Sequence, residues 1–172
     1  AFMDDMKRFF AGSGFHVAGG DLNIAPGEQD VHDHKKCRRL VGHSDGERAI
    51  MAEAIETGEW IDTGRHLQPE GPLFSWWGYR FPPAFERNLG WRLDHLWLKH
   101  GHADKITGGS VFRDSRGWEK PSDHAPVILD LNVTAGGKVI QTRYGPRAWV
   151  SDAVLGVVGS LLLGLWTVVG LS

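Results

Sequence analysis

Three short polar motifs in this chain each adjoin a segment that has the residue pattern of a β-strand. In chain order they are Gly20–Asn23, Trp91–His95 and Ser122–Pro126. The strand after the last motif is predicted over Pro126–Val133, where apolar and polar residues alternate with the period of two of a half-buried strand. We therefore expect a layered fold in which carboxylates, an amide and an imidazole meet at strand ends.

Helix signals lie between these strands, which predicts the α+β class. Ser44 and Glu47 form the capping-box pattern that opens a helix, and Gly58 ends it. Residues 2–11 have apolar side chains at helical spacing, and a further aromatic strand is predicted over 74–80. With 172 residues, the chain is long enough for one domain with a sizeable core and short for two.

The composition changes after Val133 and divides the chain into three parts. We predict a domain over 1–133, a basic linker over 134–152 and a candidate transmembrane helix over 153–171. The last part has 19 residues without a charge, which as a helix would span about 28 Å, close to the thickness of a bilayer core. Basic residues precede it and none follows, so we expect a cytoplasmic domain anchored by its tail. The alternatives are a buried helix, or a tail added by gene fusion or a shifted reading frame.

Charge and cysteine content narrow the class of protein. The net charge of −2 excludes a uniformly basic surface, although Lys and Arg can still gather locally. The single cysteine, Cys37, excludes a disulfide within the chain and suits a reducing compartment. Cys37 lies near His32, His34 and His43, but their spacing matches no familiar closed zinc site, so zinc is the less favoured interpretation.

The motifs contain the side chains that metal-dependent phosphodiester hydrolysis needs. Asp21 at a strand end can take a proton from water, and Asn23 on the same face can hold a phosphate oxygen. Asp123 is a candidate oxygen ligand of Mg²⁺. His124 can bind the phosphate or stabilise developing charge, with Asp94 holding its ring in one orientation. Taken singly, the first motif could be a turn, and the last a helix cap or a surface histidine.

The motifs and their order resemble the exodeoxyribonuclease III family of Mg²⁺-dependent apurinic/apyrimidinic endonucleases, within the endonuclease/exonuclease/phosphatase superfamily. The resemblance runs over about residues 1–133. The matching segments are Gly20–Pro26, Asp30–Asp33, Phe74–Trp76, Asn88–Asp94 and Trp118–Val127.

This resemblance implies a fold. The chain would form the C-terminal half of a two-sheet α/β sandwich of the DNase I-like type, followed by the hydrophobic C-terminal helix, which has no counterpart in the family. The family's first-strand asparagine, its principal metal-ligand glutamate and its active-site-loop tyrosine belong to the other half. We therefore expect a fragment that works with a separate N-terminal half.

The resemblance also implies roles for individual residues. The catalytic residues would be Asp21, Asn23, Asp94 and His124. The metal site would include Asp123. Substrate would be held by Asn23, Trp91 and His124, with the tryptophan lining a pocket for a sugar that lacks its base.

The implied activity is hydrolysis of the DNA backbone in base-excision repair. The implied cofactor is Mg²⁺, with Mn²⁺ as the alternative ion. The substrates would be double-stranded DNA with abasic sites or 3′ ends. One alternative is a superfamily phosphodiesterase or phosphatase acting on a smaller or lipid-borne phosphate. The other is a non-catalytic, membrane-tethered remnant, which would lack metal binding dependent on Asp123.

Overall fold

The computed structural model describes residues 17–132, 139–140 and 167–169 of the chain. Its strands are β1 (Val17–Asp21), β2 (Trp60–Asp62), β3 (Asp94–Lys99), β4 (Ile106–Val111), β5 (Val127–Leu131), β6 (Val139–Ile140) and β7 (Thr167–Val169). Its α-helices are α1 (His34–Cys37), α2 (Asp45–Thr57) and α3 (Thr63–Leu67). Short 3₁₀ segments lie at Glu28–Asp30, Pro82–Ala84, His100–Lys105 and Arg113–Gly117.

Helix α2 begins and ends where the sequence pattern predicts. The Ser44 hydroxyl accepts the backbone N–H of Glu47, while the Glu47 carboxylate accepts the backbone N–H of Ser44, which completes a capping box. Gly58 is the C-cap residue. Met51 and Ala54 on this helix are fully buried, so α2 covers one face of the larger sheet.

The larger sheet is antiparallel and has the strand order β2-β3-β1-β7-β6. Strands β1 and β3 pair along their length, from Val17 opposite Leu98 to Asp21 opposite Asp94. At Gly19 the strands approach so closely that a Cβ atom would lie 2.5 Å from the carbonyl oxygen of His95. The absence of a side chain at this position permits that approach.

Strands β4 and β5 form a second, two-stranded antiparallel sheet. Leu96 and Leu98 of β3 share a buried cluster with Leu129 and Leu131 of β5, so the two sheets pack face to face. The other face of β3 carries Trp97, which shares a buried cluster with Met51 of α2 and Trp60 of β2. Successive side chains of β3 therefore alternate between the two faces of the sheet, and the fold is a layered α/β arrangement.

The aromatic segment predicted as a strand over 74–80 does not form one. Its pairing is confined to isolated bridges, in which Trp76 pairs with Trp91 and with His124. Gly78 within the segment and the Pro82-Pro83 pair just after it are unfavourable in a paired strand and limit the pairing. The segment instead connects the second motif at Trp91 with the third motif at His124.

The predicted tail helix is not shown. Most of 153–171 lies outside the described residues, and the part that is described, Thr167–Val169, is strand β7 paired with β1. No helix within the described ranges is both long and apolar enough to cross a bilayer. The predicted helix over 2–11 and the linker over 134–152, apart from β6, also fall outside the described residues.

Candidate active site

The ends of β1 and β3 bring two carboxylates together. Asp21 is the last residue of β1 and Asp94 the first of β3, and the strand register places them directly opposite each other. His124 approaches from the segment before β5, where it bridges to Trp76. Ligand atoms of the three side chains lie within 4.8 Å of one another. The three sequence motifs thus converge on one point of the sheet.

His124 lies between the two carboxylates. Its Nδ1 is 2.8 Å from Oδ2 of Asp94, a hydrogen-bond distance, and its Nε2 is 3.9 Å from Oδ2 of Asp21. Burial by itself lowers the pKa of His124, but the hydrogen bond to Asp94 and the charges of Asp94, Asp21 and Asp123 outweigh it and raise the pKa above its usual range. The raised pKa extends the pH range over which the ring is an imidazolium, the form that can donate to an anion from Nε2 while Nδ1 donates to Asp94.

Asp21 has a more basic carboxylate than usual. Burial raises its pKa most, the negative charge of Asp94 raises it further, and hydrogen bonds from Asn23 together with the charge of His124 oppose both effects without cancelling them. Its side chain keeps 30% of its surface exposed, so water can reach it. A partly exposed carboxylate with a raised pKa is suited to accept a proton from water.

Asn23 forms the turn that follows β1. Its backbone N–H donates to Oδ1 of Asp21 at 2.9 Å, and its side-chain amide donates to Oδ2 at 3.1 Å. It has a positive φ of 52°, which asparagine tolerates better than most residues. The turn interpretation and the site interpretation are therefore compatible, because the turn itself holds the Asp21 carboxylate in place.

Asp123 faces a different partner. Its Oδ2 accepts the indole N–H of Trp76 at 2.9 Å, and its backbone carbonyl accepts the N–H of Trp77 at 2.9 Å. It is not a member of the three-residue group with mutually close ligand atoms. The indole bond fixes the carboxylate beside His124, whose pKa it helps to raise.

The donor set is compatible with a hard divalent cation. Asp21 and Asp94 supply carboxylate oxygens, the ligands that Mg²⁺ and Mn²⁺ prefer, whereas His124 supplies a nitrogen that already bonds Asp94. Mg²⁺ keeps several waters when it binds proteins, so a few carboxylates can suffice for an open site. The residues fit such an ion with water completing its shell, and do not by themselves make a closed cage.

Trp91 lies beside this site in an apolar cluster. It is 9% exposed and packs with Ala25, Val31, Cys37 and Leu93. Its ring meets that of Trp76 edge to face, with centroids 6.3 Å apart. Most of the Trp91 side chain is therefore buried in the core, and only a small part of its surface can contact a substrate.

The residues considered for zinc do not assemble into a site. His34 Nδ1 lies 2.9 Å from His43 Nε2, and His43 Nδ1 lies 2.7 Å from the carbonyl oxygen of Ala25. Cys37 is buried in the cluster with Trp91, and His32 is exposed. Within the described residues, Asp21, Asp94 and His124 form the one group of three ligand types close enough to share an ion.

Ser75 is a site residue to which the sequence analysis gave no role. Its buried hydroxyl accepts the backbone N–H of Leu93 at 3.1 Å and that of Asp94 at 3.0 Å, where β3 begins. Its carbonyl accepts the N–H of Ala125 at 2.7 Å, next to His124. Ser75 thereby connects the second motif to the third. Its position within the matching segment Phe74–Trp76 was the available signal.

A buried ion-pair network lies beside the start of β3. Arg92 donates to Asp30 from Nε at 2.7 Å and to Asp62 from Nη2 at 2.7 Å, and its backbone N–H bonds the Asp30 carbonyl. Arg65 also pairs with Asp30. The side chains of Asp30 and Arg92 are 1% and 3% exposed. A sequence does not distinguish such buried charges from charges on a solvated surface.

The sequence matches a known family and several characterised relatives. The Endonuclease/Exonuclease/phosphatase family matches residues 4–124. An exodeoxyribonuclease of Bacillus subtilis is 39% identical over 116 residues, covering 66% of this chain and 43% of that protein. Exodeoxyribonuclease III of Haemophilus influenzae is 34% identical over 119 residues, covering 65% of this chain and 44% of that protein. The chain thus spans less than half the length of these relatives.

Solved structures give the same assignment. The structure of an AP endonuclease from Archaeoglobus fulgidus is similar with a TM-score of 0.71 and 28% identity, over 76% of this chain and 53% of that one. A 3′ phosphatase from Neisseria, bound to a product DNA hairpin, has a TM-score of 0.68 and 30% identity, over 77% of this chain and 51% of that one. The resemblance to exodeoxyribonuclease III is confirmed by these relatives. The chain belongs to the Endonuclease/Exonuclease/phosphatase family.

Proposed function

We propose that this chain carries part of the active site of a metal-dependent DNA hydrolase of the exodeoxyribonuclease III type. It would cut the backbone on the 5′ side of an abasic site and act on 3′ ends. The observation that carries the proposal is the convergence of Asp21, Asp94 and His124, each from a separate motif, on one point of the sheet. The family assignment and the nuclease relatives support the same reaction class.

The geometry suggests a division of labour among the side chains. Asp21 accepts the proton of the attacking water, and the water oxygen forms a bond to phosphorus as the bond from phosphorus to the 3′ oxygen breaks. His124, held by Asp94, donates from Nε2 to a phosphate oxygen and stabilises the added negative charge. Asn23 keeps the Asp21 carboxylate oriented. The leaving 3′ oxygen takes a proton from solvent.

A divalent cation would complete this site. Asp123, fixed by the Trp76 indole, is the residue that would hold Mg²⁺ or Mn²⁺. When bound, the ion supplies positive charge that offsets the charge of the phosphate. The family's principal metal-ligand glutamate would come from a separate N-terminal half.

Action on a terminal 3′ phosphate is a second candidate. It is favoured by the similarity to a Neisseria enzyme described as a 3′ phosphatase and solved with a product DNA hairpin. The same groups serve both reactions, because in each reaction water attacks a phosphorus atom and a sugar oxygen leaves. A substrate with a 3′ phosphate therefore belongs in the same assay as one with an abasic site.

The test is Mg²⁺-dependent incision of a duplex that contains one abasic-site analogue. We expect incision that a chelator abolishes and that His124→Ala lowers by about 10²–10⁴-fold, the usual contribution of such a group. His66→Ala, which removes an exposed imidazole of α3, is the matched control and should retain activity. Equal incision by the folded wild type and His124→Ala contradicts the proposal. A folded chain that does not incise excludes independent catalysis and leaves either a half-enzyme that needs its N-terminal part or a non-catalytic remnant.

A further inference from the structure

Two consecutive backbone carbonyls directly after Asn23 each accept a hydrogen bond from a buried histidine. Nε2 of His95 lies 2.8 Å from the carbonyl oxygen of Ile24. Nδ1 of His43 lies 2.7 Å from the carbonyl oxygen of Ala25. The two imidazoles are 2% and 0% exposed, and each donates, because a carbonyl oxygen can only accept. The backbone that follows Asn23 is therefore held from inside the protein by two side chains.

The segment that carries His43 touches this backbone at further points. The carbonyl of Gly42 accepts the backbone N–H of Ala25 at 2.7 Å, so residues 42 and 43 together bond both backbone polar groups of that alanine. Gly42 has a φ of +89°, and a Cβ atom there would lie 2.7 Å from the carbonyl oxygen of Asn23. The absence of a side chain permits both the conformation and the close approach. We refer to residues 21–25 as the Asn23 turn.

The same two residues lie against Trp91, which the resemblance assigns to the substrate pocket. The rings of His43 and Trp91 meet edge to face, with centroids 5.9 Å apart. A Cβ atom at Gly42 would lie 3.5 Å from the indole. Residues 42 and 43 therefore contact both the Asn23 turn and the tryptophan, two of the features expected to hold substrate.

His43 is itself fixed by neighbours on α1 and α2. Nδ1 of His34 on α1 lies 2.9 Å from Nε2 of His43. Burial lowers the pKa of His43 most, and the hydrogen bond to Ala25 opposes it only in part, so the ring is mainly neutral at pH 7. A neutral ring that donates from Nδ1 accepts at Nε2, so the hydrogen between the two rings belongs to His34. The Glu47 carboxylate on α2 accepts the backbone N–H of Gly42 at 3.0 Å, which holds the chain next to the ring.

We propose that His43 is a positioning residue that fixes the Asn23 turn and Trp91 relative to each other. The inference rests on the proposed function and deepens it. Because His43 is fully buried, it acts on the substrate only through its neighbours. It holds Ala25, and the same turn carries the two hydrogen bonds from Asn23 to the Asp21 carboxylate. A shift of the turn would therefore misplace the proposed base, and such a misplacement lowers kcat.

NMR spectra of the chain without substrate test the inference independently of hydrolysis. His43→Phe keeps a flat ring beside Trp91 but has no donor for the Ala25 carbonyl. We expect the signals of the Ala25 carbonyl and the Asn23 side-chain amide to move by more than their linewidths. The hydrogen bond from His95 remains in this variant, so the turn should shift without unfolding. His43→Asn places an N–H close to the position of Nδ1 and should return both signals most of the way.

Steady-state incision of the abasic duplex in Mg²⁺ gives the second readout. We expect His43→Phe to lower kcat about tenfold and to change KM by less than about threefold, with most of the rate recovered in His43→Asn. His34→Ala removes only the donor to Nε2 of His43, so it should move the same signals less and lower kcat about threefold. His66→Ala, which removes an exposed imidazole, is the matched control and should change neither readout.

Unmoved Asn23 and Ala25 signals in folded His43→Phe overturn the inference, as does an unchanged kcat in a chain that incises. Shifts that His43→Asn does not reverse would assign the ring to packing alone and overturn it as well. If His43→Phe does not fold, wild-type signals in His34→Ala overturn the inference and displaced signals support it. Reversible shifts in a chain whose wild type does not incise keep the inference about the turn and exclude independent catalysis by this chain.

Discussion

Neutralising Asp30 should destabilise the fold in a way that depends on pH. Burial raises the pKa of this carboxyl, but hydrogen bonds and charges from Arg92 and Arg65 outweigh it and lower the pKa from 3.8 to about 2. That difference corresponds to about 2.5 kcal/mol of folding free energy at neutral pH. Asp30→Asn also leaves Arg92, which is 3% exposed, with only Asp62 as its charged partner. We therefore expect a total loss of about 3 kcal/mol.

The direction of the pH dependence follows from the pKa of Asp30, which is lower in the folded chain than in the unfolded chain. The contribution of Asp30 is complete above pH 4 and decreases as the pH falls from 3.8 towards 2, with about half remaining at pH 3. Urea unfolding followed by circular dichroism at pH 7 and pH 3 measures both values. Asp104→Asn, a change at an exposed carboxylate, is the control and should alter stability by less than about 0.5 kcal/mol.

Two results would refute this reasoning. One is a difference below about 1 kcal/mol between the wild type and Asp30→Asn at pH 7, which would mean that the buried network makes little net contribution. The other is a difference that stays constant between pH 7 and pH 3. That outcome would show that the variant acts through packing and not through the charge of Asp30.

Two further predictions concern Ser75 and His95. Ser75→Ala removes the acceptor for two backbone N–H groups at the start of β3. We therefore expect its incision rate to be about tenfold lower than that of the wild type, and Ser75→Thr to restore the rate. Equal rates for all three proteins would exclude a positioning role for Ser75. Burial and the charge of Arg92 lower the pKa of His95 to about 4, so its contribution is complete above about pH 6.5 and decreases as the pH falls towards 4. We expect the wild type to lose about 2 kcal/mol more than His95→Gln between pH 7.5 and pH 5 in urea titrations, and parallel losses would contradict this assignment.

Local patterns predicted the elements that local chemistry determines. The capping box of Ser44 and Glu47 gave the start of α2, and Gly58 gave its end. Strand β4 was missed because its sequence contains Gly108 and Gly109, which have low strand propensity, and its formation depends on pairing with β5.

The sequence predicted which residues form the site but not the hydrogen bonds that connect them. The motifs pointed to Asp21, Asp94 and His124, and the structure brings these side chains together, while their catalytic roles stay predictions. The role of Ser75 depends on contacts with residues 18 and 19 positions away in the chain. The bond between Trp76 and Asp123 spans 47 positions. Contacts of this range are set by the packing of the two sheets, which no local pattern encodes.

The register of β1 against β3 has a consequence for how this chain can vary. Asp21 faces Asp94 only because residue 17 pairs with residue 98. Inserting or deleting a single residue in either strand would exchange the faces of every side chain beyond it and separate the two carboxylates. Length changes are therefore excluded between residues 17 and 21 and between 94 and 98, in addition to the limits on substitution at Gly19, Asp21 and Asp94. The number of residues in each strand, and not only their identity, therefore determines whether the two carboxylates meet.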